Sequence, residues 1–365
     1  MKALGIILAG GNNERMEALS YRRAIAAMPI AGSYRSIDFA LSNMTNANIN
    51  TVAVITQYST RSLNEHLSSP AWWGFGRKQG GLFMLNPTIT KENSEWYRGT
   101  ADALIQNLDF LYDRHEPYVV IAPGDGIVKL DLNAVLEQHA ATGAEITVIC
   151  KKMTHIDSTR FGVVELDGEK RISSWSEKQE NARGCYVNCG IYVVRRRRLI
   201  QLLEDLRREN KFDFVRDCVA RDLDRRRIVA FLHEGYWTNI NTVESYFDCN
   251  MDLLDPELRR YFFYDYPTVM TKVDDYPPAK FNGSACVKNS VIAGGGIVNG
   301  EVKDSVLFKK VYIGDGASVK GSVLLDDVYV GNSVRLEYCI VEKHVKLEDG
   351  AEYRGTPEKP LVITG

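Results

Sequence analysis

Short apolar runs alternate with amphipathic segments through the first two thirds of the chain. Runs of this length between helices predict the strands of a mostly parallel sheet that is buried on both faces. Helical spacing is found at Asp38–Asn46, Asn133–Thr142, Arg197–Glu209 and Val243–Leu254. The predicted strands are Ala3–Leu8, Thr51–Ile55, Tyr118–Ala122, Glu145–Cys150, Gly162–Glu165, Cys189–Val194 and Ile228–Leu232. We therefore expect an α/β domain in this part of the chain.

The pattern changes after a stretch rich in tyrosine and proline, Phe263–Pro278, which predicts an ordered linker. From about residue 281 the helical spacing disappears and a repeat begins. The repeats start 15, 17 and 17 residues apart, at Val287, Val302, Val319 and Leu336. Three short strands per turn with inward aliphatic residues make a parallel β-helix. An irregular β-sandwich is the alternative, although a sandwich needs no fixed period. Because the last coil would expose a sheet edge, we expect a cap or a subunit contact there.

Composition and charge exclude several classes of protein. The 365 residues include 45 Lys and Arg and 47 Asp and Glu, so the net charge is −2. Because neither sign of charge predominates, the composition does not favour a nucleic-acid or membrane partner. No apolar run reaches the roughly 18 residues of a membrane-spanning helix. The seven cysteines are irregularly spaced, which favours a reduced, cytoplasmic protein without a structural zinc site.

Two turns after predicted strands carry candidate phosphate chemistry. Gly10 and Gly11 follow the first strand, where open α/β sheets bind ligands, and they let backbone N–H groups approach a phosphate. A tight turn alone is the alternative. Asp125 follows the strand at 118–122 and is a candidate ligand for a divalent metal that bridges phosphates. A turn-forming aspartate is the alternative there.

Two further segments have both a functional and a structural interpretation. Thr100 is expected to cap a helix that has Asp102 in its first turn, and capping alone would explain both residues. Lys178 follows Glu177 in a polar segment and is a candidate clamp for an anionic sugar phosphate. A solvated surface lysine is the alternative.

Taken in order, these and other motifs resemble bacterial glucose-1-phosphate adenylyltransferases. The resemblance covers nearly the whole chain. It is found at residues 8–11, 34–43, 56–58, 62–66, 96–103, 106–108, 124–125, 161–163, 177–178, 190–192 and 250–254. It implies a Rossmann-like nucleotidyltransferase domain with a mostly parallel sheet over 1–255, a linker over 256–280 and a left-handed parallel β-helix over 281–365.

The resemblance implies an activity: formation of ADP-glucose and pyrophosphate from ATP and glucose 1-phosphate, for glycogen synthesis. The sugar phosphate attacks the α-phosphorus in line, so the protein supplies positioning, Mg²⁺ and cations rather than a covalent nucleophile. Arg15 and Asp125 match catalytic positions of the family, and Asp125 is the retained metal ligand. The implied substrate-binding positions are Gly10, Gly11, Tyr97, Gly99, Thr100, Asp102, Gly124, Gly162, Glu177, Lys178, Asn188 and Asp213.

The chain departs from the family where ATP, phosphate and metal are bound. In the nucleotide loop Asn13 stands for a glycine and Glu14 for a threonine, which crowds the loop and brings a negative charge towards an anionic ligand. Ile25 replaces the family's lysine, and Gly126 replaces a histidine after Asp125. Asn239 replaces the second metal-binding aspartate, and a neutral amide is a weaker Mg²⁺ ligand than a carboxylate. On the sugar side, Asn188 replaces a serine.

These losses make the chain look like the family's degenerate D-type subunit, a non-catalytic or weakly active regulatory partner in a mixed tetramer with a catalytic subunit. Mg²⁺ is expected only if activity remains. Three alternatives stay open: an active adenylyltransferase, a nucleotidyltransferase of changed specificity, and an acyltransferase that uses the β-helix, where His344 is the only histidine.

The resemblance also implies a sugar-phosphate or nucleotide effector held by basic residues. Arg22, Arg23, Arg35 and Arg61 are the candidates for this anion site, and ordinary surface arginines are the alternative. The run Arg195–Arg198 opens a predicted helix, which indicates a solvated face rather than a nucleic-acid site.

Overall fold

The computed structural model describes residues 1–11, 14–76, 80–88, 96–154 and 156–365. They form two compact units, each built from separate stretches of chain. The first unit contains Met1–Gly11, Ala40–Tyr58 and Trp73–Trp237, and the second contains Asn12–Phe39, Ser59–Trp72 and Thr238–Gly365. The domain boundaries at residues 255 and 280 stay a prediction from sequence.

The strands before the repeats, in chain order, are β1 (Ala3–Leu8), β2 (Pro29–Ile30), β3 (Tyr34–Arg35), β4 (Thr51–Ile55), β5 (Gly81–Leu85), β6 (Tyr118–Pro123), β7 (Gly126–Val128), β8 (Ile146–Lys152), β9 (Gly162–Leu166), β10 (Ile172–Glu177), β11 (Tyr186–Arg195), β12 (Ile228–Leu232) and β13 (Trp237–Asn239). The α-helices are α1 (Ser36–Asn46), α2 (Arg61–Leu67), α3 (Thr100–Ile105), α4 (Leu108–Tyr112), α5 (Leu132–Thr142), α6 (Arg196–Arg208), α7 (Val243–Asp252) and α8 (Pro256–Phe263). Shorter helical turns lie at Glu14–Ser20, Ile25–Ala27, Pro70–Trp73 and Val215–Ala220.

The first unit is built on one mixed sheet with the order β10-β9-β11-β6-β1-β4-β5. In addition, β8 pairs with β11, and β12 pairs with β8. Strands β6, β1, β4 and β5 are parallel neighbours, as the buried apolar runs predict. The expected α/β class is confirmed. The direction of β11 differs from a simple parallel arrangement, because this strand runs antiparallel to β6, β8 and β9.

Helix ends in the first unit follow local capping chemistry. At the start of α5 the Asp131 side chain accepts hydrogen bonds from the backbone N–H groups of Asn133 and Ala134, which helix N-termini otherwise leave unpaired. The helix ends at Gly143, whose φ of 62° is in the left-handed region that favours glycine. Among the described residues no helix is both long enough and apolar enough to cross a membrane.

The repeats form three parallel sheets of five strands each. Their strands are β14 (Lys280–Phe281), β15 (Cys286–Lys288), β16 (Val291–Ile292), β17 (Ile297–Val298), β18 (Glu301–Lys303), β19 (Val306–Leu307), β20 (Tyr312–Ile313), β21 (Ser318–Lys320), β22 (Val323–Leu324), β23 (Tyr329–Val330), β24 (Arg335–Glu337), β25 (Cys339–Val341), β26 (Lys346–Leu347), β27 (Glu352–Arg354) and β28 (Leu361–Ile363). Each strand pairs with the strand three places further along the chain, so the sheets follow successive coils.

The register of the coils agrees with the sequence repeat. Val287, Val302, Val319 and Leu336 are in register across β15, β18, β21 and β24, and the last three of these side chains are buried in the β-helix core. The predicted parallel β-helix is therefore confirmed, its architecture fits the left-handed form, and the sandwich alternative is wrong.

The second unit also contains a chain segment, residues 29–35, that packs beside the coils. A Cβ on Gly32 would lie 3.1 Å from Cγ1 of Val291, and the Gly32 φ is +85°. The Tyr246 hydroxyl in α7 donates to the Pro29 carbonyl at 2.8 Å, and the Asn250 side chain accepts from the Ala31 N–H at 3.0 Å. These contacts hold the segment that carries Arg35, one of the four candidate effector arginines.

Candidate active site

The carboxyl ends of β1, β4 and β6 meet at one edge of the sheet. Their register pairs Leu8 with both Ile55 and Pro123, so the turns that follow these three strands are neighbours. The Gly124 N–H donates to the Leu8 carbonyl at 2.9 Å, which holds the Gly124–Asp125 turn beside the glycine loop. This edge is the ligand-binding position of open α/β sheets.

The glycine loop is held at this edge by Gln57, a residue that sequence reasoning did not assign to the site. Its side-chain amide donates to the Gly10 carbonyl at 3.4 Å and accepts from the Tyr97 N–H at 2.9 Å. A Cβ on Gly11 would meet no described atom within 4 Å, so the backbone here is open to an approaching ligand. Asn13, one of the predicted departures, lies outside the described residues.

The segment from Tyr97 to Asp102 is organised by internal hydrogen bonds. Asp102 is buried and accepts from the Arg98 N–H at 2.9 Å and from the Gln106 amide at 3.0 Å. The Tyr97 hydroxyl accepts from the Asn107 side chain at 3.0 Å, and burial raises its pKa. These residues line a polar cavity of about 320 Å³ in the first unit.

The predicted cap at Thr100 is wrong. Gly99 occupies the N-cap position of α3 and Thr100 is the first helical residue. The Thr100 hydroxyl instead accepts a hydrogen bond from the Phe214 N–H at 3.0 Å. Glycine is required at residue 99 because a Cβ there would lie 2.4 Å from the Phe212 carbonyl oxygen. Asp102 lies in the first turn of α3, as expected.

Asp125 lies in the two-residue turn between β6 and β7. Burial raises the pKa of its carboxyl, and the charge of Lys178 acts in the opposite direction. Among the described residues no three His, Cys, Asp or Glu side chains are grouped to hold a metal ion. A single carboxylate is nonetheless a donor that Mg²⁺ accepts when substrate phosphates and water supply its other ligands.

Glu177 is the last residue of β10 and Lys178 follows it, and the charge of Lys178 acts on both Glu177 and Asp125. Burial raises the pKa of Glu177, while a hydrogen bond from the Trp175 indole and the charge of Lys178 oppose that shift. The Trp175 Nε1–H donates to Glu177 Oε2 at 2.9 Å. A Cβ on Gly162 would lie 2.5 Å from the same oxygen, so glycine makes room for this carboxylate.

Asp213 adds a second acidic group to this side of the site. Its carboxylate accepts from the Arg216 N–H at 2.8 Å, and its charge raises the pKa of Glu177. The structure thus brings together Asp125 and three of the residues that the resemblance predicts to bind substrate, Glu177, Lys178 and Asp213. Shifted pKa values in such a cluster are typical of functional sites.

The Asn188 side chain, by contrast, is used inside the protein. Its Oδ1 accepts from the Gly190 N–H at 2.8 Å and its Nδ2 donates to the Tyr192 hydroxyl at 2.7 Å. The pairing of β11 with β8 shifts register between Asn188 and Tyr192, and Gly190 has a φ of +76°. Asn188 therefore stabilises an irregularity in β11, and each of its two polar side-chain atoms already has one protein partner.

Three residues named from the family pattern belong to the second unit. Arg15 is exposed in the turn at Glu14–Ser20. Ile25 is only 6% exposed in the turn at Ile25–Ala27, where its carbonyl accepts from the Ser36 hydroxyl at 2.8 Å. Asn239 is the last residue of β13 and is partly buried. At residue 25, where the resemblance implies a lysine, the side chain is therefore aliphatic and buried.

The four effector candidates have different environments. Arg23 is buried and paired with Glu342. Burial lowers the pKa of Arg35, against the raising effect of Asp326 and other carboxylates, and Arg35 and Arg23 repel each other. Arg61 is exposed and lies 3.3 Å from Glu65 one helical turn away. Arg22 is exposed. The structure brings Arg23 and Arg35 together, and a shared effector site stays a prediction.

Comparison with known proteins supports both halves of this description. A family model described as nucleotidyl transferase matches residues 4–256, and one described as GlmU-like, C-terminal hexapeptide matches residues 277–357. A glucose-1-phosphate adenylyltransferase of Thermosipho africanus is 36% identical over 318 residues, which are 87% of this chain and 77% of that protein. One of Clostridium perfringens is 36% identical over 321 residues, 87% of this chain and 81% of that protein. One of Desulfitobacterium hafniense is 33% identical over 373 residues, 100% of this chain and 94% of that protein.

Proposed function

This chain belongs to the glucose-1-phosphate adenylyltransferase family, and within that family we propose that it is a non-catalytic or weakly active regulatory subunit. Its role would be to modulate the synthesis of ADP-glucose by a catalytic subunit, in a mixed tetramer in the cytoplasm. The free state of all seven cysteines is compatible with that compartment.

The observation that carries the proposal is Ile25. Phosphoryl and nucleotidyl transfer depend on cations that neutralise charge in the transition state, because the protein does little covalent chemistry. A buried isoleucine supplies none. By analogy with oxyanion-hole donors, losing one such group costs about 3–4 kcal/mol of transition-state stabilisation. Asn239 weakens metal binding independently, because an amide replaces a carboxylate.

The residues expected to bind the sugar phosphate favour one alternative, an active adenylyltransferase. Glu177, Lys178 and Asp213 are retained, and the relatives that this chain matches carry the name of that enzyme. In this alternative Asp125 would hold Mg²⁺, which supplies charge neutralisation on the phosphates of ATP. Lys178 would then bind the sugar phosphate while the open backbone at Gly11 receives the nucleotide.

The regulatory proposal is tested by mixing this chain with the catalytic adenylyltransferase of the same organism. Pyrophosphate release is measured at several concentrations of ATP and glucose 1-phosphate, and the mixture is analysed by size-exclusion chromatography. We expect a mixed oligomer in which the turnover or the apparent substrate affinity of the catalytic subunit is changed. Separate elution with unchanged kinetics at all ratios would contradict the proposal. Heat-denatured chain is the control.

A further inference from the structure

Arg23 and Glu342 form a buried ion pair in the second unit, although 319 residues separate them in sequence. The exposed fractions of the two residues are 8% and 7%, and Arg23 Nη2 donates directly to Glu342 Oε1. Removing two charges from water is costly, so a buried guanidinium persists only beside an anion or several acceptors. Glu342 is that anion for Arg23.

The backbone on each side of the pair is fixed. Glu342 follows β25, its own N–H donates to the Ile363 carbonyl at 2.8 Å, and its Oε1 also accepts from the Lys343 N–H at 2.7 Å. On the other side, the Ala24 N–H donates to the Ser59 carbonyl at 3.2 Å. The carboxylate is therefore presented to Arg23 by a rigid coil of the β-helix rather than by a mobile loop.

Arg35 enlarges the cluster, but its guanidinium contacts a carbonyl rather than a carboxylate. Its Nη1 donates to the Ala27 carbonyl at 2.9 Å, and its backbone N–H donates to Asp38 Oδ2 at 2.8 Å. Asp326 and Asp274 also act on its charge. Asp274 is in turn paired with Lys309.

The charges of this cluster leave no excess of positive charge. Four cations, Arg23, Arg35, Lys309 and Lys272, face four carboxylates, Glu342, Asp326, Asp274 and Asp38, and Asp38 also contacts the His66 ring at 2.6 Å. A dissolved anion would be repelled by the carboxylates and would have to displace one of them. The two terminal NH2 groups of an arginine nevertheless have the geometry that binds phosphate and carboxylate alike.

We infer that Glu342 is the built-in occupant of an anion site formed by Arg23 with Arg35 beside it, and that the native chain keeps this site closed to phosphate-type anions. The β-helix supplies a tethered carboxylate in the place of a dissolved ligand. This inference holds whether or not the chain is a regulatory subunit.

The test removes the charge of Glu342 and offers inorganic phosphate in its place. Thermal unfolding of wild type, Glu342→Gln and Glu352→Gln is followed with increasing phosphate, and sodium chloride of equal ionic strength is the control. Glu352 pairs with Arg335 on the surface at 3.4 Å, so its variant loses a carboxylate without exposing a buried cation. We expect phosphate to raise the melting temperature of Glu342→Gln selectively, with saturation.

A double variant, Arg23→Gln with Glu342→Gln, should lose this response because the cation itself is gone. If Glu342→Gln is insoluble in chloride, the inference requires that phosphate recovers soluble protein. Insolubility in both salts would contradict it. Equal stabilisation of wild type and Glu342→Gln by phosphate, or a response that survives in the double variant, would also overturn it.

Discussion

Two charged clusters in this chain balance their charges in opposite ways. Near the turn at Asp125, burial raises the pKa of both Asp125 and Glu177, and Lys178 is a cation that acts on each. In the other cluster Arg23 and Glu342 are in direct contact and excluded from water. The first cluster still has charge and hydrogen-bonding capacity to offer a ligand, whereas the second is satisfied by the protein itself.

This difference distinguishes residues that are still available to bind a ligand from residues that serve only the protein's own packing and hydrogen bonding. Ile25 and Asn188 belong with the second kind, since Ile25 is buried and both polar atoms of Asn188 have protein partners. Residues that match a family pattern therefore need not be available for the family's reaction. The four predictions below would break or sharpen the comparison, and they run from the largest expected effect to the smallest.

Replacing Glu342 by Gln is expected to have the largest effect on stability. Arg23 would stay buried without its carboxylate, and breaking such a pair lowers the free energy of unfolding by about 3–5 kcal/mol. Urea denaturation of wild type and variant measures the loss. The exposed-pair control, Glu352→Gln, should change stability by less than about 1 kcal/mol. Equal losses of unfolding free energy in the two variants would show that the buried pair stabilises the protein no more than the exposed pair does.

Restoring the family's charged residues should increase catalysis. In Ile25→Lys combined with Asn239→Asp, a transition-state cation and a metal-binding carboxylate return together. Because one such group is typically worth about 10²–10³ in turnover, we expect pyrophosphate release to rise by at least tenfold. Ile25→Met with Asn239→Asp is the matched control, since Met restores length without charge. A response of equal size in both double variants would contradict the role given to residue 25.

Packing at the start of α3 gives a smaller effect. Gly99→Ala places a Cβ 2.4 Å from the Phe212 carbonyl oxygen, so the backbone must shift. Such overpacking costs about 1–3 kcal/mol of stability. Gly11→Ala is the control, because its Cβ would meet no described atom within 4 Å. Thermal unfolding should separate the two alanine variants, and similar melting temperatures would contradict the close approach at Gly99.

The pH dependence of stability should report on Glu177. Its pKa is raised above the ordinary value of 4.5 by burial, so the folded protein holds the proton more tightly than the unfolded chain does. The contribution of Glu177 to the free energy of unfolding is therefore at its full value below pH 4.5, and it is lost as the pH rises through the folded-state pKa. Glu177→Gln should therefore flatten that part of the profile. If the wild-type and variant profiles are parallel, Glu177 has no shifted pKa.

The amino-acid sequence was sufficient to predict the architecture because local patterns determine it. The apolar run of β1 predicts a strand buried on both faces, and the 15- and 17-residue spacings predict which residues pair between coils. These features depend on residues that are close together in the sequence or on a regular sequence repeat.

The site was harder to predict because its partners are distant in sequence. Nothing near Arg23 indicates that its anion is Glu342, and nothing near Thr100 indicates that its hydroxyl accepts from Phe214. The antiparallel direction of β11 and the use of Asn188 at its irregularity likewise depend on tertiary pairing. For Gln57 the sequence offered one indication, a polar side chain two residues after the end of the buried parallel strand β4.

The central claim is that this chain has lost the cation and metal chemistry of its family, and its own turnover tests that claim most directly. Pyrophosphate release from ATP, glucose 1-phosphate and Mg²⁺ would be measured with the purified chain alone, free of any catalytic partner. The account predicts either no release above that of heat-denatured protein or a weak release far below that of the catalytic partner. Robust release would contradict it, and would mean that residues other than Ile25 and Asn239 supply the missing cation and metal ligand.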